Sequence, residues 1–319
     1  MKGVKTVFKT GLGLGAAVLG LGAVIYEGAL NTKVNGKCVA FFDKPDPNQD
    51  AMYSGDEYSD AQRWFDEHKS EDRTITTEET GRIHAYFFEP ESPSHKWAVL
   101  CHGYNSSPKS TAVFARHYTE LGFHCICPSL RGWGNDETRY CSMGYRDKDL
   151  CLAWIRFIVT TDPEAEIVLH GYSMGAVTVM LTTGEPLPPN VKAAVADCGF
   201  TRCWDQYAHV LKSYGHLPAF PVLYAVNLVS ILRGNFDIRR NNPIEAVARS
   251  VTPTAFLHGT ADTFVPYEMM DKLYEACAAP KVKQGIEGGL HATASVKDPV
   301  LYWKTVDDFL RDRISDYGG

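Results

Sequence analysis

Ser173 lies at the centre of the stretch HGYSMGA, with one glycine two residues before it and another two residues after it. Residues 166–170, just upstream, are apolar and β-branched, a pattern that predicts a buried strand. Residues 174–183, just downstream, predict a helix. A serine on such a sharp turn is exposed for nucleophilic attack, and Gly171 and Gly175 would leave room for the neighbouring backbone. We therefore predict that Ser173 is an acyl-transfer nucleophile; the alternative is a Gly/Ser turn without chemistry.

A serine nucleophile needs a histidine to accept its proton and a carboxylate to orient that histidine. Asp262 directly follows a predicted strand in FLHGTADTFVP, and His291 lies in a loop after the predicted strand at 282–286. Chemistry in parallel sheets gathers beyond the carboxyl ends of the strands, where both residues would meet Ser173. Asp197 also ends a predicted strand and is the competing acid. We favour Asp262 because of its place in the loop beyond its strand.

The chain contains eleven histidines, and most of them should have structural roles. Three lie within or at the end of predicted strands, each followed by a glycine, and are expected to be scaffold: His102, His170 and His258. Two others fall in a predicted helical insertion, His209 and His216. The histidine of GGLHATA combines a post-strand loop, flexible glycines and the required chain order, which is why it is predicted to be the base.

An oxyanion hole needs two backbone N–H groups directed at the developing negative charge. Met174 should supply one, because its amide opens the helix after the serine. The second should come from the loop after the predicted strand at 97–104, where Gly103 lets the backbone approach the substrate. We predict Tyr104 for this role, with Asn105 as the alternative.

Strands and helices alternate along the body of the chain, which predicts a mostly parallel sheet with helices on both faces. Residues 201–242 interrupt this alternation with an apolar, aromatic-rich segment that predicts a short helical cap over the site. The predicted organisation is an N-terminal segment at 1–30, a linker and helix at 31–71, and a catalytic α/β domain at 72–319.

The N-terminal segment combines Lys2, Lys5 and Lys9 with an uncharged run at 10–26. As a helix this run would be about 25 Å long, near the lower limit for crossing a bilayer. We expect an uncleaved membrane anchor with the catalytic domain outside the cytoplasm. A cleaved signal peptide with secretion, or a cytoplasmic protein, are the alternatives. The many glycines argue against a buried globular helix.

Composition excludes several classes of partner and ligand. The net charge of −6, without a basic cluster in the body of the chain, does not favour nucleic acid. The nine cysteines lack a C-x-x-C pair, and most are expected to be free thiols. No His/Cys cluster has zinc spacing, so we predict no metal and no other cofactor.

The motifs CHGYNSS, LRGWGND, HGYSMGA, FLHGTADTFVP and GGLHATA occur in the order typical of α/β-hydrolase serine hydrolases. Across about residues 72–313 the chain resembles this family. It is most similar to bacterial, often membrane-anchored esterase-like members, related to the serine aminopeptidase and monoacylglycerol-lipase-like group. The resemblance implies Ser173 as nucleophile, Asp262 as acid and His291 as base, with Tyr104 and Met174 as oxyanion amides.

Two positions depart from the pattern of these relatives. Relatives often have an aspartate where this chain has Ser129, and a small residue where Leu290 precedes the histidine. Neither change removes a catalytic group.

The expected activity is hydrolysis of small carboxylic esters, as in a carboxylesterase or lipase, because the cap offers apolar side chains and few charges. A peptidase or amidase would need acids to hold an α-amino group, and the insertion contains two, Asp205 and Asp237. The motifs are also compatible with a thioesterase, or with a binding protein of this fold without activity, because a fold does not specify a substrate.

Overall fold

A computed structural model of the chain describes residues 2–34 and 56–318. Its centre is an eight-stranded sheet in the order β1-β2-β4-β3-β5-β6-β7-β8. The strands are β1 (Arg73–Thr77), β2 (Gly81–Phe88), β3 (Lys96–Cys101), β4 (His124–Pro128), β5 (Glu166–Tyr172), β6 (Val191–Asp197), β7 (Thr254–Gly259) and β8 (Lys281–Ile286). Strand β2 is antiparallel to β1 and β4, and the other neighbours are parallel.

Helices connect the strands. They are α1 (Lys2–Leu30), α2 (Asp56–His68), α3 (Ala112–Glu120), α4 (Asp147–Thr161), α5 (Met174–Thr183), α6 (Cys203–Ser213), α7 (Ala219–Leu232), α8 (Pro243–Arg249), α9 (Glu268–Ala276), α10 (Ala294–Lys297) and α11 (Pro299–Arg311). Short 3-10 helices occur at Pro108–Thr111 and Ile238–Arg240.

The apolar core lies on both faces of the sheet. On one face, Trp154 of α4 and Met180 of α5 pack against the strands. On the other, Tyr118 of α3 and Tyr302 of α11 do so. Because the parallel strands are covered on both sides, their residues are almost continuously buried, as in Thr254–Gly259. The predicted fold class, a mostly parallel sheet with helices on both faces, is confirmed.

The predicted insertion at 201–242 is helical. It contains α6 and α7 and lies between strands β6 and β7, and residues 198–253, all of which the structure describes, contain no strand. One face of α7 is buried, including Leu223 and Val226. Phe220 and Leu232, near the two ends of the helix, are 72% and 75% accessible. The predicted helical cap therefore has the expected apolar composition, part of it facing solvent.

The N-terminal helix α1 is the segment predicted to be a membrane anchor. Among residues 2–34 and 56–318, no helix is long and apolar enough to span a membrane. The last turns of α1 instead pack against the domain, with Tyr26 and Leu30 buried. Glycine permits this close approach, since a Cβ added at Gly22 would lie 2.6 Å from the Cβ of Ala225 in α7. The expectation that glycines exclude a buried helix is wrong for this half of α1.

The remaining N-terminal predictions have mixed outcomes. The predicted helix of the linker region is present as α2, Asp56–His68. The linker part of the predicted segment at 31–71 falls largely outside the described residues, as does Cys38. The other eight cysteines are buried free thiols, as expected. Membrane attachment and cellular location stay predictions.

Candidate active site

Ser173 occupies a strained turn between β5 and α5. Its backbone has φ 53° and ψ −119°, in a region that residues other than glycine rarely adopt. A Cβ added at Gly175 would lie 2.0 Å from the carbonyl oxygen of Cys101, at the end of β3. One added at Gly171 would lie 2.3 Å from the carbonyl oxygen of Gly175. The two glycines are therefore required because strand, turn and helix approach too closely for any side chain, as predicted.

The structure brings Ser173, His291 and Asp262 into one hydrogen-bonded chain. The Oγ atom of Ser173 lies 2.8 Å from Nε2 of His291. The Nδ1 atom of His291 lies 2.7 Å from Oδ2 of Asp262. This geometry fixes the tautomer in the resting state, because Nδ1 must carry the proton to donate to a carboxylate and Nε2 is then free to accept one from the serine.

Asp262 is buried and held as an anion. Its Oδ1 accepts the backbone N–H groups of Phe264 and Val265, both at 2.9 Å. Burial alone would raise the pKa of this carboxyl, but its electrostatic interactions and hydrogen bonds with His291 and His258 outweigh the effect of burial. The pKa of Asp262 therefore lies well below its usual range, and the carboxylate is ionised at neutral pH.

A second histidine, His258, contacts the same carboxylate. Its Nε2 lies 2.9 Å from Oδ2 of Asp262 and 2.9 Å from the carbonyl oxygen of Val265. Both neighbours are acceptors, so the ring proton is on Nε2 and is shared between them. Sequence reasoning assigned His258 to the scaffold and missed this contact. The spacing of four residues in His-Gly-Thr-Ala-Asp, across the end of a strand, is the signal that could have indicated it.

Asp197, the competing acid, ends β6 and is fully buried beside the site. Its backbone carbonyl accepts the N–H of Ser173 at 2.8 Å. Its side chain contacts Tyr302, and burial raises the pKa of the carboxyl to about 6. Asp262 makes the hydrogen bond to His291, whereas Asp197 contacts Ser173 through its backbone carbonyl.

The two predicted oxyanion donors lie at the ends of adjacent strands. Met174 is the first residue of α5, where helix N–H groups lack intrahelical partners. Tyr104 follows β3, which pairs with β5 in parallel, Cys101 opposite Gly171. The Tyr104 hydroxyl donates to the carbonyl oxygen of Ala29 at 2.5 Å, so its loop is tied to the end of α1. Asn105, the alternative, has φ 53°.

His102 connects two loops beside this site. Its Nδ1 donates to the carbonyl oxygen of Gly103 at 2.8 Å, and its Nε2 accepts the N–H of Leu130 at 3.2 Å. Burial lowers the pKa of His102 to about 4, so the ring is neutral near pH 7 and can serve both as donor and as acceptor. Its predicted scaffold role is thus to join the loop that carries Tyr104 to the loop after β4.

The two departures from the family pattern have local structural roles. The Ser129 hydroxyl accepts the N–H of Asn135 at 3.1 Å. The N–H of Leu290 donates to the Thr293 hydroxyl at 2.8 Å, which closes the turn that presents His291. Neither side chain takes the place of a member of the hydrogen-bonded chain.

One group of three metal-ligand types occurs at the site. Potential ligand atoms of Cys198, Asp262 and His291 lie within 4.8 Å of one another. Both ring nitrogens of His291 already have partners, and burial raises the pKa of the Cys198 thiol well above its usual value. A metal here would have to displace the Ser–His–Asp hydrogen bonds and deprotonate a buried thiol. The expectation of no metal stays a prediction.

Residues 97–221 match the family model described as alpha/beta hydrolase fold. Curated proteins of similar sequence include one from Bacillus subtilis and one from Danio rerio. The uncharacterized protein YqkD of Bacillus subtilis is 28% identical over 219 residues, which are 68% of this chain and 72% of YqkD. The lysophosphatidylserine lipase ABHD12 of Danio rerio is 27% identical over 174 residues, 52% of this chain and 43% of that protein.

Solved structures agree with the sequence match. The esterase Pf2001 of Pyrococcus furiosus superposes with a TM-score of 0.63 at 20% identity, covering 78% of this chain and 93% of the esterase. A similarity at this level of identity establishes the common architecture. The α/β-hydrolase resemblance inferred from the motifs is confirmed.

Proposed function

The chain has the α/β-hydrolase fold, and from that premise we propose that it hydrolyses carboxylic esters through an acyl-enzyme intermediate on Ser173. The observation that carries the proposal is the continuous hydrogen-bonded chain from Ser173 through His291 to Asp262, placed at the carboxyl edge of the sheet. No cofactor takes part in the proposed reaction.

In the first half-reaction, Nε2 of His291 takes the proton of the Ser173 hydroxyl while Oγ attacks the ester carbonyl carbon. The carbonyl oxygen becomes an oxyanion, which the N–H groups of Met174 and Tyr104 stabilise. His291 returns the proton to the departing alcohol oxygen, and the C–O bond breaks. The ionised Asp262 stabilises the imidazolium formed between these steps.

In the second half-reaction, water takes the place of the alcohol. His291 accepts a proton from water as the water oxygen attacks the acyl carbon, and the same N–H groups hold the second oxyanion. Collapse of this intermediate transfers the proton to Ser173 Oγ and releases the carboxylic acid. Serine and histidine are regenerated, so the net reaction is ester plus water to acid plus alcohol.

The cap supports an ester in preference to a peptide with a free amino group. Its exposed surface includes large apolar side chains such as Phe220 and Leu232. Of its two acids, Asp237 is engaged by Arg239, which holds the pKa of the carboxyl at about 2, and Asp205 is solvent exposed. The esterase and lipase names of similar proteins point the same way.

Labelling with a fluorophosphonate tests the nucleophile. The wild-type chain should react covalently, Ser173→Ala should not, and Ser315→Ala should behave as wild type. Ser315 is a suitable control because it binds Glu166, at the opposite end of the strand that leads to Ser173. A folded wild-type protein that neither labels nor cleaves activated esters contradicts the proposal.

Turnover of a p-nitrophenyl ester series beside aminoacyl-anilides tests the substrate class. A hydrophobic pocket separates neighbouring chain lengths by about 1–3 kcal/mol per methylene, so a graded preference among the esters is expected. If the anilides are preferred about tenfold or more, a difference of about 1.4 kcal/mol in transition-state binding, the chain is a peptidase or amidase.

A further inference from the structure

A strongly cationic cavity lies outside the Ser–His–Asp site. It has a volume of about 410 Å³ and is formed by the β1–β2 turn, the loop after β4 and the end of cap helix α7. Four arginines and a single acid line it: Arg131, Arg139, Arg146, Arg233 and Glu79. The lining therefore carries an excess of three positive charges on a protein whose net charge is −6.

Two of these guanidinium groups bind backbone carbonyl oxygens. Arg131 donates to the carbonyl oxygen of Thr80 at 3.2 Å, and its Nε is buried without a hydrogen-bond partner among the described residues. Arg146 donates to the carbonyl oxygens of Gly234, at 2.8 Å, and Asn235. Backbone carbonyls orient these two side chains but do not neutralise their charge. Asp147 interacts electrostatically with Arg131, and Asp149 with both arginines.

The remaining lining groups add to this imbalance. The guanidinium of Arg139 lies 5.6 Å from the centre of the Tyr140 ring. Arg233 forms an ion pair of 3.1 Å with Glu27 of α1, and Glu79 is 3.5 Å from Arg156, which is not part of the lining. Glu27 and Glu79 thus each have an arginine partner, and the lining itself keeps an excess of positive charge.

The walls of the cavity are held by buried polar contacts. Asp147 accepts the N–H of Arg131 at 2.7 Å and that of Gly144 at 3.0 Å, which braces the loop after β4. The Asn235 side chain donates to the carbonyl oxygen of Cys141 at 2.8 Å, which fixes the end of the cap to that loop. Arginines on braced backbone lose less entropy when they bind a ligand than arginines on a mobile loop.

We propose that this cavity binds the phosphate group of a small molecule or of a lipid headgroup. Guanidinium groups present paired N–H donors that match phosphate oxygens, and several of them can surround one phosphate, which offers more acceptors and more charge than a carboxylate. The inference does not depend on the proposed ester hydrolysis, because it concerns binding. The loop that forms part of the cavity wall also contacts helix α5, since Cys141 Sγ lies 3.4 Å from Met174 Sδ.

Calorimetric titration of the whole chain tests the inference. The probes are inorganic phosphate, glycerol phosphate and a monomeric lysophospholipid with an oleoyl chain. Monooleoylglycerol, which has the same acyl chain without phosphate, is the matched ligand, and Ser173→Ala protein is used for both lipids so that neither is consumed. Binding of the soluble phosphates indicates that the ligand is a free phosphate compound. If the soluble phosphates do not bind, and the lysophospholipid binds in clear preference to monooleoylglycerol, the ligand is a lipid headgroup. Either result supports the site.

Charge-neutralising variants locate the binding. Arg139→Gln and Arg131→Gln should each weaken phosphate binding at least tenfold, and binding should weaken with added salt. Arg116→Gln, which removes an exposed arginine paired with Glu120 on α3, should leave it unchanged. Arg139 is exposed, so its variant keeps the test decisive if Arg131→Gln fails to fold. Any of three results overturns the inference. They are no binding of any phosphate probe, equal binding of the two lipids with no binding of the soluble phosphates, and equal phosphate affinity of wild type and Arg139→Gln.

Discussion

His258 and Asp262 are joined by a contact of 2.9 Å to Oδ2, the same carboxylate oxygen that lies 2.7 Å from Nδ1 of His291. One oxygen therefore serves two imidazoles, one fully buried and one facing the serine. The second oxygen is occupied by the N–H groups of Phe264 and Val265. The orientation of Asp262, and through it that of His291, is thus determined partly by His258.

Replacing His258 with leucine should lower kcat while changing KM little. Asp262 would lose one donor in a buried site, and a hydrogen bond to a charged group contributes about 1.5–3 kcal/mol, so a decrease of roughly tenfold to a hundredfold is expected. His258→Gln, whose amide can still donate, should recover part of the rate. Steady-state kinetics on an activated ester measure the effect. The rates are normalised to the concentration of active sites, which is found by titration with a fluorophosphonate.

His117→Leu is the matched control, because His117 Nε2 lies 2.9 Å from Asp307 Oδ1, a carboxylate outside the Ser–His–Asp hydrogen-bonded chain. It should leave kcat unchanged. If His258→Leu changes thermal stability but not kcat, His258 acts in folding alone and the positioning role is wrong.

Gly175→Ala should destabilise the protein severely. The new Cβ would lie 2.0 Å from the carbonyl oxygen of Cys101, and both partners are backbone groups at a strand end that cannot move independently. Overpacking of this kind costs about 3 kcal/mol or more, equivalent to a decrease of roughly 6–12 °C in Tm for a domain of this size. Differential scanning calorimetry or soluble yield measures it.

Gly20→Ala provides the comparison, because it makes the same change in a helix where nothing lies within 4 Å of the added Cβ. It should be neutral or stabilising by up to about 1 kcal/mol. Equal effects of the two variants would mean that the turn at Ser173 can relax to accommodate a side chain.

The sequence allowed the Ser–Asp–His arrangement to be predicted because each residue follows a strand, and parallel strands bring their carboxyl ends to one edge. Ser173 and His291 are 118 residues apart in sequence, and Asp262 lies between them. In the folded chain, His291 is within hydrogen-bond distance of both Ser173 and Asp262. Strand ends are local features, visible in apolar runs that stop at glycine or aspartate.

Contacts between segments distant in sequence could not be predicted in this way. Gly184 follows helix α5 with a φ of −79°, outside the left-handed region that favours glycine. It is glycine for packing, because an added Cβ would lie 2.8 Å from the Cβ of Ala246. Likewise, the hydropathy of residues 10–26 does not reveal whether an apolar helix faces lipid or a cap helix. The contact between Gly22 and Ala225 depends on where the cap folds, which is not visible in the sequence around Gly22.

Gly22→Val should separate α1 from the cap. The branched side chain would overlap Ala225, so we expect a loss of about 1–3 kcal/mol and release of the Tyr104–Ala29 contact at the end of the helix. Limited proteolysis should then remove the N-terminal segment faster than in the wild type. Gly20→Val, at a position with open space, is the control. Equal protease sensitivity of wild type and Gly22→Val would show that α1 is not docked on α7 in solution.

Asp197→Asn should make the protein more stable above neutral pH than the wild type. Burial raises the pKa of Asp197 to about 6 from 3.8, so between these values the folded state binds more protons than the unfolded state. The contribution of the protonated carboxyl to the free energy of unfolding is fully present below the pKa that Asp197 has in the unfolded chain. It is lost as the pH rises through about 6, which lowers the free energy of unfolding by up to about 3 kcal/mol. Asparagine is neutral throughout and avoids this loss.

Thermal unfolding of wild type and Asp197→Asn at about pH 5 and about pH 8 measures the effect, since the variant's advantage should appear at the higher pH. Asp147, whose pKa burial also raises to about 6, is present in both proteins and cancels in the difference. The opposite result, a variant that loses more stability at high pH than at low pH, would mean that ionised Asp197 is stabilised by His258 and His291 more than it is destabilised by burial.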